Sequence, residues 1–290
     1  MGDLDITTRL VLSRNARILL RPPHGIQFGT DSTRSGIALL PKHAIAPVAA
    51  ALAACRMPVT GLHGRLKRAG LDEVAAATLI DDLLAHGILR VHQPPRPVAV
   101  VGASASSSIL RTVLAETGIW VRSPSRGEPD GNFLNRLESD VPVVVIGFHA
   151  LFAGRSVFLA DRPTIIPARV EDGMVEIGPL RIDGEGPCPY CTDLAELRRD
   201  PEARVLRAQL GPSMRFDPLC EHLLAVKVAA VIHGLYSQTP APGMHVERPR
   251  PGLLLRLSPY DGAVEERIVE PLALCPLCSS QDLLPIEDAP

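Results

Sequence analysis

The sequence predicts an α/β chain in two parts: a small α+β domain over residues 1–93 and a larger domain over 98–290 built around a parallel sheet. Three observations predict it. The chain has 290 residues, and at roughly 100 to 200 residues per domain that length favours two domains over one. Gln93-Pro94-Pro95-Arg96-Pro97 neither continues a helix nor sits inside a central strand, so it reads as a stiff linker. Before the linker three short strands precede three helices, whereas after it strands and helices alternate, the grammar of a parallel sheet covered by helices.

The elements follow in order. In the first domain 17–21, 25–29 and 36–39 are strand candidates separated by Pro22-Pro23-His24 and the polar stretch 30–35, which gives a three-stranded meander. Residues 41–54 are Ala-rich and helical, 59–69 follows a proline and closes at Gly70, and 71–86 closes at Gly87. Val74, Leu79, Leu83 and Leu84 form the apolar stripe of that third helix, with Asp72, Glu73, Asp81 and Asp82 outside it. In the second domain 98–101 is a β-branched strand ending in Gly102, 106–117 a helix, Trp120-Val121 the start of a strand, and 142–146 the most apolar strand of all. A hairpin follows, 164–170 and 174–177 around an Asp-Gly turn. A helix over 221–236 and two strands, 252–257 and 266–269, complete the order.

Composition excludes several classes. Hydrophobic residues make up 46% and charged residues 21%, which argues against wholesale disorder. Aromatics at 3% leave the packing to aliphatic side chains. The first fifteen residues hold no apolar run of a signal peptide, and nowhere do 18 apolar residues follow one another, so a soluble, cytoplasmic protein with no membrane partner is expected. Residues 1–95 carry 11 Lys/Arg and 7 Asp/Glu, a net +4, which leaves −6 for the rest. A basic first domain suits an acidic ligand or a nucleic acid, and a solvated Arg face gives the same count.

Four of the six cysteines stand in two pairs, Cys188-Pro-Tyr-Cys191 and Cys275-Pro-Leu-Cys278. Each pair places two thiols on a tight turn, and two such knuckles make a tetrahedral site for Zn²⁺. The alternatives are two redox Cys-x-x-Cys motifs or accidental turns. Four thiolates leave no open position, so a metal held there is structural. Closing the 83-residue spacer between the pairs costs entropy only as the logarithm of its length. Cys55 lies on the Ala-rich helix and reads as a small buried hydrophobe. Cys220 stands beside Glu221 and His222, the composition of an activated thiol, but adjacency in sequence is not a dyad.

The turn after the first strand of the second domain is Gly102-Ala103-Ser104-Ala105-Ser106-Ser107-Ser108. A dinucleotide loop wants glycine at its first, third and sixth positions. Only Gly102 complies, Ser104 and Ser107 add bulk where phosphate would approach, and Arg122-Ser123-Pro124 supplies no ribose carboxylate. The sheet reads as Rossmann-like with its adenylate chemistry lost.

Ile26-Gln27-Phe28-Gly29, Gly36-Ile37-Ala38-Leu39-Leu40-Pro41 and the helices to Gly87-Ile88-Leu89 resemble the RiPP recognition element, the PqqD-like, winged-helix-like fold that binds leader peptides. The second half resembles the ThiF-like, ubiquitin-activating-enzyme-like fold. It does so through 170–180 running into Gly186-Pro187-Cys188-Pro189-Tyr190-Cys191-Thr192-Asp193-Leu194 and through the paired cysteines. Together they are similar to the leader-peptide-binding partner proteins of YcaO cyclodehydratases, which make azolines in ribosomal peptide natural products. The resemblance covers nearly the whole chain.

It implies a non-catalytic scaffold that holds a precursor's leader peptide while a separate YcaO-type enzyme binds ATP. The leader would add as a strand along Gly36, Ile37, Ala38, Leu39 and Leu40, against Leu79, Asp82 and Leu83 of the third helix, with Arg34 suiting an acidic peptide. Cys188, Cys191, Cys275 and Cys278 would hold structural Zn²⁺, and a homodimer would form through the ThiF-like domain with 143–158 as its material. The sequence departs from adenylating relatives at the Gly102 loop and at Val143-Val144-Val145-Ile146-Gly147-Phe148, where those relatives place an acidic residue for Mg²⁺. Two other classes compete. One is a working adenylating enzyme with a serine-rich loop. The other is a DNA-binding regulator using Gly64-Arg65-Leu66-Lys67-Arg68 on phosphates, although a regulator usually carries its wing after the third helix.

Overall fold

The computed structural model describes residues 5–31, 33, 36–102, 104–147, 156–159, 161–209, 216–236, 247–273, 275 and 277–278. It divides into two compact units, Met1–Pro94 with Tyr236–Glu247, and Pro95–Leu235 with Arg248–Pro290.

The first unit runs β1 (Arg9–Leu12), β2 (Ile18–Arg21), β3 (Gly25–Phe28), β4 (Ile37–Leu39), α1 (Ile45–Ala53), β5 (Arg56–Pro58), α2 (Val59–Arg68), α3 (Glu73–Ala85) and β6 (Leu89–Val91). The meander read from the sequence is the antiparallel sheet β2-β3-β4. A second antiparallel sheet, β5-β1-β6, joins the start of the chain to segments on either side of α2 and α3. Leu10, Ile26, Leu52, Leu62, Leu66, Ile80, Ile88 and Leu89 are fully buried between these sheets and the helices. Asp72 caps α3 by accepting the Ala75 N–H at 2.8 Å, as a carboxylate at that position should. The buried face of α3 is Ala76, Leu79, Ile80 and Leu83. Val74 is not part of it: it is 74% exposed, because at about 100° per residue it lies roughly 200° round the helix from buried Ala76.

The second unit continues with β7 (Pro97–Val101), α4 (Ala105–Thr117), β8 (Trp120–Arg122), α5 (Asp130–Asn135), β9 (Val143–Ile146), α6 (Ser156–Leu159), β10 (Ile165–Glu171), β11 (Met174–Ile177), α7 (Pro189–Arg199), α8 (Ala203–Ala208), α9 (Pro218–Leu235), β12 (Leu253–Leu257) and β13 (Val264–Ile268). Among the described residues it holds one seven-stranded sheet, β13-β12-β11-β10-β9-β7-β8. The half from β10 through β9 and β7 to β8 is parallel, and the half from β10 to β13 is antiparallel. Asp172 and Gly173, both at positive φ (49° and 78°), make the tight turn that joins β10 to β11, the geometry an Asp-Gly pair favours.

Ala99, Val101, Val143, Val145 and Ile165 pack on Phe133, Leu134 and Leu159 of α5 and α6. Helices α4 and α9 pack against each other, and α9 lies on β10 and β11. Buried Arg162 donates to the carbonyls of Leu134, Glu138 and Leu137, the last at 2.8 Å, a cation closing the C-terminal end of α5. Among the described residues α9 alone is long and apolar enough to cross a membrane, and Leu224, Ala225, Val228 and Ile232 bury its inner face. The material expected to make a dimer interface splits. Val143–Ile146 is fully buried in the middle of the sheet, Phe158 is exposed, and 148–155 fall outside the described residues.

Candidate metal centre and an open strand edge

The four cysteines meet. Cys188 is the N-cap of α7, Pro189 opens the helix, and Cys191 lies in its first turn; the first pair therefore sits on a helix start and not on the free tight turn expected. The second pair is a turn closed by the Cys278 N–H donating to the Cys275 carbonyl at 3.2 Å. Sulfur separations are 3.8 Å for Cys188–Cys191, 3.5 Å for Cys188–Cys275 and 3.5 Å for Cys191–Cys278, and all four sulfurs lie within 4.8 Å of one another. Bonds of about 2.3 Å to a tetrahedral ion set sulfurs about 3.8 Å apart, so the donor set fits a soft divalent metal. Cys188, Cys191 and Cys275 are buried and Cys278 is half-buried.

The thiols are electrostatically unequal. Cys191 is brought down to about 5, chiefly because Cys188 donates to it and secondarily through the Leu272 N–H, against the opposing push of burial. Cys188 moves up, as the donor of that pair and as a buried group, and burial raises Cys275. Cys55 and Cys220 take no part. Both are buried, burial raises both, and their thiols rest on the carbonyls of Leu10 (3.7 Å) and Gly173 (3.3 Å). Neither is an activated nucleophile.

From the metal centre α7 carries Asp193 and Glu196 into the interior. Arg169 of β10 meets Glu176 at 2.7 Å, Glu171 at 3.0 Å and Glu196 at 3.7 Å. A cavity of about 590 Å³ opens beside this network, reached by Ser104, Ile146, Gly147, Glu176 and Cys191. It lies at the ends of β7 and β9, where the strand order reverses around β7, the usual place for a ligand in such sheets. Gly102 holds φ at 100°, and a Cβ there would stand 2.0 Å from the Ile146 carbonyl oxygen. The serines are not arranged as the sequence suggested. Ser107 is fully buried and donates to the Gly102 carbonyl at 2.7 Å, so it does not crowd the cavity. Ser104 caps α4 by accepting the Ser107 N–H at 3.1 Å, which occupies one donor that would face an anion. Arg122, where a ribose carboxylate would be sought, pairs with Glu138.

In the first unit β4 is, among the described residues, the edge of its sheet. The Phe28 N–H donates to the Gly36 carbonyl at 3.0 Å, the Leu40 N–H donates to the His24 carbonyl at 3.2 Å, and Ala38 pairs with Ile26. An antiparallel ladder alternates, so the backbone groups of Ile37 and Leu39 point away from β3. Their side chains are 46% and 80% exposed, while Ala38 and Leu40 pack on the core. Gly36 lies close to Ile88, which a Cβ would approach to 3.1 Å. Leu79 and Leu83 are core residues and Asp82 is exposed on the outer face of α3. Arg34 lies outside the described residues.

No family model matches the sequence, and no curated protein matches it. Solved structures do. A heterocyclase in complex with substrate and cofactor is similar at TM-score 0.55 and 16% identity, over 96% of this chain and 40% of that one. The heterocyclase TruD is similar at TM-score 0.56 and 15% identity, over 93% and 43%. The chain therefore spans about two-fifths of the length of these heterocyclases. E. coli MccB, solved with MccA and separately with ATP, matches at TM-score 0.51 and 12% or 10% identity, over 93% of this chain and 99% of that one. The chain has the mixed α/β fold that these proteins share, with a cluster of four cysteines suited to a metal ion.

Proposed function

We propose that the chain is a non-catalytic scaffold of ribosomal-peptide biosynthesis. It binds the leader peptide of a precursor through its first unit and presents the core to a separate YcaO-type azoline-forming cyclodehydratase. The observation that carries the reading is the open edge of β4, where Ile37 and Leu39 aim both backbone and side chains outward. An extended peptide adding to that edge gains main-chain hydrogen bonds, and alternate side chains give selectivity. Ile37 and Leu39 meet the peptide, Gly36, Ala38 and Leu40 hold the strand, Leu79 and Leu83 form the floor behind it, and Asp82 lies at its rim. The net positive charge of residues 1–95 and Arg34 favour an acidic leader. Likeness to a heterocyclase solved with substrate and to MccB solved with MccA supports a peptide partner. Zn²⁺ held by Cys188, Cys191, Cys275 and Cys278 fastens the second unit together and has no position left for a substrate.

The test is binding of the cognate precursor to the full chain by fluorescence anisotropy. Leu39→Asp weakens it at least tenfold with the melting temperature unchanged; binding that survives the change, or that duplex DNA competes away, ends the leader assignment.

One observation favours a second reading, ATP-dependent adenylation: the cavity at the ends of β7 and β9, in a fold whose relative MccB was solved with ATP. Pyrophosphate exchange into ATP by the chain alone separates the two, and the scaffold reading expects none.

A further inference from the structure

The only charged residues on the strands of the sheet β5-β1-β6 are Arg9, Arg56 and Arg90. Strand alternation puts all three on one face. Leu10, Leu12, Met57 and Leu89 face the core, so Arg9, Val11, Arg56, Pro58 and Arg90 share the opposite face, where Arg9 and Arg56 are exposed and Arg90 is half-buried. In the register of the sheet Val11 stands between Arg56 and Arg90, and Arg9 stands opposite Pro58. Two strand spacings separate Arg56 from Arg90 by about 10 Å, and Arg9 lies diagonal to both at about 7–8 Å.

Three like charges gathered this closely repel one another, and among the described residues no carboxylate pairs with any of them. The Arg9 Nη2 lies 3.5 Å from the Arg56 carbonyl oxygen, which keeps its charge beside Arg56. The Nε and Nη2 of Arg90 are buried without a hydrogen-bond partner. Burial pulls the Arg90 pKa below the usual arginine value with nothing opposing it, whereas Glu138, Asp140 and Asp161 push back at Arg162. A buried cation without a counter-charge is costly, and an anion brought to this face offsets that cost. Two features narrow the kind of anion. Val11 and Pro58 set apolar surface among the guanidinium groups, which suits the side chains of a peptide better than a phosphate backbone. Phe28 is the only aromatic side chain of residues 1–94 and it is buried, so these residues offer no platform on which a single-stranded base could stack.

We propose that this face docks an acidic peptide segment of a partner protein other than the precursor. Carboxylates of the segment meet Arg56 and Arg90 on either side of an apolar residue that rests on Val11, and Arg9 adds a third cation beside them. Arginine suits the task, because its planar fork takes a carboxylate through two hydrogen bonds at once. The β4 edge belongs to the other sheet of the unit, so a strand added there uses none of these groups, and the docking face stands independently of the leader assignment.

The test is fluorescence anisotropy of the full chain with a labelled peptide, Gly-Glu-Glu-Leu-Glu-Glu-Gly, and with its counterpart in which every Glu is Gln. The Glu peptide binds at least tenfold more tightly, and the preference shrinks as salt is raised. Arg9→Gln combined with Arg56→Gln, both at exposed positions, abolishes the preference without lowering the melting temperature, whereas Lys at the same two positions retains most of it. Should the double variant fail to fold, Arg56→Gln alone weakens binding of the Glu peptide at least threefold. Equal binding of the two peptides, or a folded Gln variant that binds as the native chain does, overturns the proposal. Displacement of the Glu peptide by the cognate precursor also overturns it, by making the precursor the source of the carboxylates. Displacement by an equal charge of short duplex DNA overturns it as well, by making the face a nucleic-acid surface.

Discussion

Cys191 serves two structures at once. Its sulfur joins the thiol cluster, and its backbone lies in the first turn of the helix that delivers Glu196 to Arg169. Binding energy at a structural metal site is folding energy, so losing a ligand loosens both. Cys275→Ser is expected to abolish the one zinc per chain found by elemental analysis. It should also lower the melting of the second unit by about 10 °C, corresponding to about 3 kcal/mol at the usual scaling. Gly102→Ala brings a Cβ into the Ile146 carbonyl from a backbone at φ 100° and should cost at least about 2 kcal/mol in denaturant unfolding. The cluster of four cysteines was legible because two Cys-x-x-Cys pairs are a local signal. The roles of Ser104 and Ser107 were not, since which serine faces the cavity depends on how α4 settles on the sheet, and four serines within the five residues 104–108 carry no periodicity to reveal it.

At the scale of elements, β4 and α3 give opposite expectations from similar leucines. Leu83→Ala removes a side chain from the core and should cost about 2–5 kcal/mol, whereas Leu39→Asp should leave stability unchanged and act on peptide binding alone. Thermal melts of the two variants beside the binding measurement check the pair. The hairpin β10-β11 was readable from Asp172-Gly173 and the alternation around it. The sheet β5-β1-β6 escaped because its strands have only three or four residues and pair across most of the first unit; no local pattern records a partner so far away. Helices α5 and α8 escaped for a related reason, being six residues each, too short to establish a 3.6-residue period.

At the scale of the whole molecule, the two units should unfold as two transitions. All four clustered cysteines belong to the second unit, so if they hold the metal a strong chelator is expected to lower one calorimetric transition by about 10 °C and leave the other in place. A shift of both transitions, or of neither, would contradict that division.

The distance between the two knuckles also has a meaning in time. Cys188 and Cys275 touch across 87 positions of sequence. At a synthesis rate of about 5–20 residues per second, the first pair emerges roughly 4–17 s before its counterpart. For that interval Cys188 and Cys191 are a bare dithiol on a nascent helix, free to oxidise to each other. To join the four-sulfur cluster they must stay reduced until Cys275 and Cys278 follow, so the yield of folded protein should depend on the thiol redox state during translation.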